Sequence, residues 1–417
     1  MRVKNLLITN IRGLVQVRTA ISGPLRGSEM ATLPVVENAF LEIRDGRIAK
    51  FGPMEEIPTQ SGIDVLDAEG GFALPCFVDS HTHLIFPASR ENEFVLKIKG
   101  ATYAEIAAKG GGILNSARRL AHASEDELFE SAMRRLHEIA ATGTGAVEIK
   151  SGYGLSTDAE LKMLRVARRL QRESPLTIRT TFLGAHAVPA GMKKDDYVRV
   201  VINEMIPAVA AERLADYIDV FCEEGFFSQS DTEAILEAGA AKGMKGRVHA
   251  NQLSRSGGVQ AGIHSGAISV DHLENIGKEE IRLLSASNVI ATALPGAAFF
   301  LNLSMPPARD LLNANVPIVI ASDYNPGSSP SGNMMLMISL ACIRMRMTPE
   351  EAINAATINA ACALELQDQL GSIAEGKLAN VIITRPVPSL AYLPYAFGSP
   401  HIAHVIINGS VMPLQSA

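Results

Sequence analysis

The sequence predicts an α/β protein, a (β/α)8 TIM-like barrel with a small β-sandwich domain built from both chain termini. Three observations carry that expectation. Eight short apolar runs in the middle of the chain alternate with longer helical segments, the pattern of βα units around a parallel sheet. Each run stops at a polar or glycine-rich stretch. The two ends of the chain instead hold half-apolar strands joined by tight-turn dipeptides, and 417 residues exceed one ordinary core.

The amino-terminal strands come first. Residues 40–44 and 47–51 flank Asp45-Gly46, a hairpin signal because a type I′ turn needs positive φ at both central positions. At the far end, residues 381–384 follow the turn-rich Glu375-Gly376-Lys377, and residues 404–407 run into Asn408-Gly409 and a further short strand. Burying these strands against one another gives a composite domain of residues 1–68 plus 364–417. The barrel, residues 69–363, is inserted into it.

The eight barrel strands are expected at residues 77–83, 146–150, 178–183, 218–222, 247–250, 267–272, 289–294 and 318–323. The helices between them are credible. Residues 127–140 place Leu128, Ala132, Leu136 and Ile139 on one stripe. Thr348-Pro349-Glu350-Glu351 opens the last long helix with an N-cap threonine, a first-turn proline and a glutamate set for a capping box. Met334, Met335, Met337, Met345 and Met347 read as core filler along the eighth helix.

Composition excludes several classes. The chain is 47% apolar and 20% charged with a net charge of −6, which leaves no footprint for nucleic acid or an anionic membrane. No stretch approaches the roughly 20 apolar residues of a membrane span, and the apolar run at the amino terminus is too short for a signal peptide. A cytoplasmic protein is expected. Cys76, Cys222, Cys342 and Cys362 lie far apart, so they read as buried reduced thiols and not as a disulfide framework or thiolate zinc site.

In a barrel of this kind the active site lies at the carboxyl ends of the strands. Residues i and i+2 of a strand share a face, so His81 and His83 can present their rings to one metal ion. Alone, His-x-His is more simply two histidines at a strand end. His249, His272 and Asp323 end three other runs, and three imidazoles plus a carboxylate with an open position form a catalytic donor set.

The run from Val78 to His83, with His249, Asp271-His272 and Ser322-Asp323, resembles the amidohydrolase superfamily over nearly the whole chain. Residues 147–155, 182–189, 249–253 and 323–328 resemble the imidazolonepropionase family within it. The resemblance implies hydrolysis of the ring C–N bond of 4-imidazolone-5-propanoate to N-formimidoyl-L-glutamate, a step of histidine degradation, by a metal-activated hydroxide. It implies one divalent or trivalent ion per subunit, zinc or iron, held by His81, His83, His249 and Asp323. It implies substrate contacts from Arg90, Tyr153, His186, Gln252, Asn325, Gly327 and Ser328. The chemistry fits: Arg90 can offer a bidentate fork to the propanoate, although a surface ion pair is its bland alternative.

Two departures matter. Some relatives carry glutamate three residues after the strand-five histidine, where this chain has Gln252. An amide accepts no proton at neutral pH, so Gln252 is left to orient ring or water, and His272 and Asp323 are the candidates for proton transfer. Asn380 stands where the superfamily usually has aspartate, in the terminal β region. Relatives with two metals bridge them by a modified lysine on strand four, where this chain has Cys222-Glu223-Glu224, so Lys150 is given no role and one metal is expected. Another mononuclear amidohydrolase, a heterocycle deaminase or cyclic-amide hydrolase, stays open, as does a non-catalytic assembly protein. The expected partner is a small-molecule substrate, and a homodimer is expected.

Overall fold

Short half-apolar runs at the amino terminus produce the first strands of a terminal sheet. The computed structural model describes residues 5–19, 23–58, 62–101 and 111–413, so residues 1–4 of the amino-terminal run lie outside it. The first strands are β1 (Leu6–Val15), β2 (Val35–Arg44), β3 (Arg47–Pro53), β4 (Asp64–Asp67) and β5 (Phe72–Pro75). β2 and β3 form the expected hairpin, with Asp45 and Gly46 both at positive φ, +49° and +76°. β4 and then β5 run parallel along the same side of β1.

The barrel wall follows as β6 (Phe77–Asp79), β7 (Thr144–Lys150), β8 (Thr177–Ala185), β9 (Tyr217–Cys222), β10 (Lys245–Ala250), β11 (Ser269–His272), β12 (Ile290–Ala293) and β13 (Ile318–Ile320). They pair in sequence order and all in parallel. Regular pairing in the first and last of these strands stops three or four residues before the runs read from the sequence. The seam between them is closed by individual bonds instead. Asp323 N–H donates to His81 O at 3.0 Å, and His83 N–H donates to Tyr324 O at 2.9 Å. The Asp79 carboxyl, pushed up to about 7 by burial, accepts from Ser322 N–H at 2.9 Å. His81, His83 and Asp323 are thereby freed from the ladder, whereas His249 and His272 stay in it.

The chain returns to the terminal sheet with β14 (Val381–Thr384), β15 (Ile402–Ile407) and β16 (Ser410–Val411). The sheet order is β16-β15-β14-β5-β1-β2-β3, with β4 beside β1. Parity divides its faces. Val381 and Ile383 join Ile8, Ile11, Leu41 and Ile406 in a separate small core, while Ile382, Leu74 and Val405 pack into the barrel's core. The terminal sheet is thereby tied to the barrel.

The helix Glu125–Ala141 is capped by Ser124, which accepts from Glu127 N–H, and it buries Leu128, Ala132, Leu136 and Ile139. Thr348 caps Pro349–Ala356 in the same way. That helix is shorter than expected. It breaks at Thr357, where φ is −120° and ψ −88°, and resumes as Ile358–Ala363. Thr357 Oγ1 bonds back to Ile353 O, and Asn359 donates its amide to Leu25 O and Ile318 O, which ties the second piece of the helix to β13 and to the segment after β1. Met334, Met337 and Met345 are buried on the helix Met334–Met345. Among the described residues, no helix is long and apolar enough to cross a membrane, and all four cysteines are free.

Candidate metal centre

Four side chains converge where β6, β10 and β13 end. Donor atoms of His81, His83 and His249 lie within 4.8 Å of one another, all buried. His249 Nε2 is 3.4 Å from His83 Nε2. Asp323 Oδ1 lies 3.4 Å from His83 Nε2 and 3.6 Å from His81 Nε2. His81 Nε2 is buried with no hydrogen-bond partner. Nitrogen lone pairs and a carboxylate oxygen facing one another at these distances repel unless a cation lies among them, so the donor set fits a metal ion.

The other ring nitrogens explain why those lone pairs face inward. His81 Nδ1 donates to Asp271 Oδ2 at 2.7 Å, and His249 Nδ1 donates to Asp219 Oδ1 at 3.1 Å. A carboxylate can only accept, so each proton is on Nδ1 and Nε2 is left free. Burial drives the His249 imidazolium down to about 4 and the His81 imidazolium well below its ordinary range. Burial alone would raise Asp323, but the neighbouring imidazoles, that of His83 first, hold its carboxyl below the usual range.

The carboxylates are themselves held. Lys150 Nζ sits 2.8 Å from Asp219 Oδ2 and 2.8 Å from Glu148 Oε1, and Arg247 reaches Asp271 Oδ2 at 3.3 Å. Every one of these side chains is fully buried. Arg247 also donates to Ser80 O and Ala363 O.

The residues expected at substrate line the same end of the barrel. The His186 ring stacks on His83, centroids 5.2 Å apart and 19° from parallel, and Tyr153 lies 5.5 Å from His186. His186 Nδ1 bonds Gly152 O at 3.0 Å. The Tyr153 loop is fastened from below by Glu160, which accepts from the N–H groups of Gly152, Gly154 and Leu155 at 2.7–2.9 Å. Arg90 packs so closely on Gly327 that a Cβ there would meet its guanidinium at 2.4 Å. Glu93 Oε2 accepts from Arg90 at 2.8–2.9 Å, so the ion pair of the bland reading exists alongside the approach to the loop. Asn325 spends its side chain inside that loop. Its Oδ1 accepts from Gly327 and Ser328 N–H, and its Nδ2 donates to Asp323 O and Ser328 Oγ. Ser328 Oγ donates to Asp323 Oδ2 at 3.3 Å.

His272 is buried at the end of β11 with φ at +89°, followed by Leu273 at +71°. Two consecutive non-glycine residues in this region mark local strain. The turn brings Glu274 back to its own histidine, Oε1 3.4 Å from His272 Nδ1. Burial opposes the charge on His272, but Glu274 raises its pKa above the ordinary value. Gln252 is buried, and its backbone carbonyl accepts from Asn275 Nδ2 at 2.6 Å. Glu223 accepts from Leu253 N–H and Ser254 Oγ, lacing the loops after β9 and β10. A cavity of about 570 Å³ between those loops is lined by Lys194, Glu224, Phe226 and Arg255, and by none of the four donors.

The amidohydrolase family model matches residues 72–412. An imidazolonepropionase from Christiangramia forsetii is 50% identical over 98% of this chain and 100% of that protein. One from Flavobacterium johnsoniae is 49% identical over 97% of this chain and 99% of its own length. The chain belongs to the imidazolonepropionase family. Solved structures share the fold: an adenosine deaminase from Xanthomonas campestris with bound zinc aligns at a TM-score of 0.73 with 16% identity, covering 99% of this chain and 93% of that one. A triazine hydrolase from Arthrobacter aurescens aligns at 0.74 with 17% identity, covering 98% and 94%.

Several polar residues of this imidazolonepropionase-family chain have no role legible in the sequence. Glu148, Lys150, Asp219, Arg247, Asp271, Glu160 and Glu274 are all buried. For Glu148, Lys150, Asp219, Arg247 and Asp271 the signal was present as charged residues in the strand-like runs, with Glu148 and Lys150 two apart on one strand face.

Proposed function

We propose that this imidazolonepropionase-family hydrolase opens 4-imidazolone-5-propanoate to N-formimidoyl-L-glutamate, and that His81, His83, His249 and Asp323 hold its metal ion. The observation that carries the activity is identity of 49–50% over 97–98% of the chain to imidazolonepropionases. The convergent donor set carries the metal. Glu148, Asp219 and Asp271 pair with the buried cations Lys150 and Arg247, while the Asp323 carboxylate faces the His81 and His83 rings, an acidic setting that suits a zinc or iron cation.

Such an ion supplies a Lewis acid and a water whose pKa falls from near 16 towards about 7. The protein supplies the rest. Arg90 binds the propanoate, with Tyr153 and His186 beside it, and the Gly327-Ser328 turn closes over the tail. Asp323 accepts the proton of the attacking water. As the new C–O bond forms and the ring C–N bond breaks, His272 moves a proton toward the departing nitrogen, its Nδ1 held by Glu274. Gln252 orients the ring, since its amide cannot take up a proton.

Four free cysteines suit a reducing compartment, and two-fold dimers are the commonest soluble oligomers, which support a cytoplasmic homodimer. Mixing the metal-loaded protein with 4-imidazolone-5-propanoate tests the activity: the ultraviolet band of the ring disappears if the reading holds and persists if it fails.

A further inference from the structure

The ammonium of Lys150 lies between Glu148 and Asp219, 2.8 Å from each, with the buried guanidinium of Arg247 as a second, more distant positive charge on the same carboxylates. The three side chains are 0% exposed. Glu148 and Lys150 project from one face of β7, Asp219 comes from β9, and the intervening strand β8 adds Thr181, whose Oγ1 donates to Glu148 Oε1. Asp219 Oδ2 faces the ammonium, while its Oδ1 accepts from both the backbone N–H and Nδ1 of His249, each at 3.1 Å. The carboxylate that orients a metal-ligand ring is therefore itself oriented by a buried charge.

We propose that Lys150 is a positioning residue for the metal, acting through Asp219 on His249. The inference rests on the metal reading above. Two carboxylates drawn to one ammonium in a dry interior are mutually repulsive, and the attraction to the shared cation offsets this. With the ammonium gone, repulsion from Glu148 displaces Asp219, and His249 Nδ1 loses the acceptor that points Nε2 at the ion. Loss of such an outer partner typically weakens metal binding about 10- to 100-fold.

The test is a zinc titration against a chromophoric chelator, with circular dichroism to establish folding, on the wild-type chain, Lys150→Met and the double variant Lys150→Met/Glu148→Gln. Wild type is expected to bind one zinc per chain; no binding there overturns the metal reading itself. Lys150→Met is expected to bind at least about tenfold more weakly. In the double variant the repelling charge is removed without refilling the space of the lysine, and affinity is expected to return to within about threefold of wild type, order-of-magnitude figures for an electrostatic partner. A packing role for Lys150 predicts no such rescue. Unchanged affinity in Lys150→Met, or a double variant as weak as the single one, overturns the proposal. If Lys150→Met does not fold, the double variant alone decides: affinity near wild type upholds the proposal, and failure to fold or a tenfold loss overturns it.

Discussion

Asp271 Oδ2 lies 2.7 Å from His81 Nδ1, and neither side chain is exposed. Arg247 reaches the same carboxylate oxygen at 3.3 Å. The pair fixes both the tautomer and the tilt of the ring. Asp271→Asn can turn its amide donor toward Nδ1, which moves the proton to Nε2 and blocks ligation. Zinc affinity is expected to fall about 10- to 100-fold, read by competition with a chelator. Affinity equal to wild type would show that Asp271 does not set the His81 tautomer.

Asp323 combines a donor position with the seam of the barrel, since its N–H closes onto His81 O. Asp323→Asn keeps that backbone bond and removes the charge. Turnover is expected to drop at least about 100-fold while the circular dichroism spectrum stays that of the wild type. Normal turnover would remove Asp323 from the proton path.

Arg90 is shared between Glu93 and the Gly327 loop. If it also binds the propanoate, Arg90→Ala raises KM by about 10- to 100-fold, the worth of a charge-assisted hydrogen bond, and leaves metal content unchanged. Steady-state kinetics with parallel metal analysis decide it. An unchanged KM places the tail elsewhere.

The metal-free protein should lose stability in acid over a defined window. The His249 pKa is depressed to about 4 by burial, with His81 and His186 lowered in the same direction. Unfolded histidines titrate near 6.5. Between about 6.5 and about 4 the unfolded chain binds protons that the native chain refuses, so stability falls as pH falls through that interval. Thermal unfolding of chelator-treated protein from pH 7.5 to 4.5 measures it; a melting temperature that is flat across this range contradicts neutral, buried imidazoles.

Strand periodicity made much of this architecture legible. The eight apolar runs, the Asp45-Gly46 hairpin and the Thr348 cap each follow from local backbone preference, and those preferences survive in the fold. The break at Thr357 does not follow from them, and just beyond it Asn359 meets Leu25 O, 334 residues away in sequence. The site divides in the same way. His81 and His83 share a face by strand geometry alone. That Asp271 serves His81, or that Lys150 lies between Glu148 and Asp219, depends on which strands meet across the barrel interior, and spacing within a strand is silent on that. Glu274 was hidden for another reason: reaching a histidine two residues earlier requires the positive φ of His272 and Leu273, which the residue types disfavour.

The most direct measurement is turnover of 4-imidazolone-5-propanoate by zinc- or iron-loaded protein, with the product identified by mass spectrometry and a chelator-treated sample alongside. Loss of the ring absorbance with gain of one water to give N-formimidoyl-L-glutamate, abolished by chelation and restored by metal, is the predicted result. Persistence of the intact ring in the presence of stoichiometric metal would contradict the account.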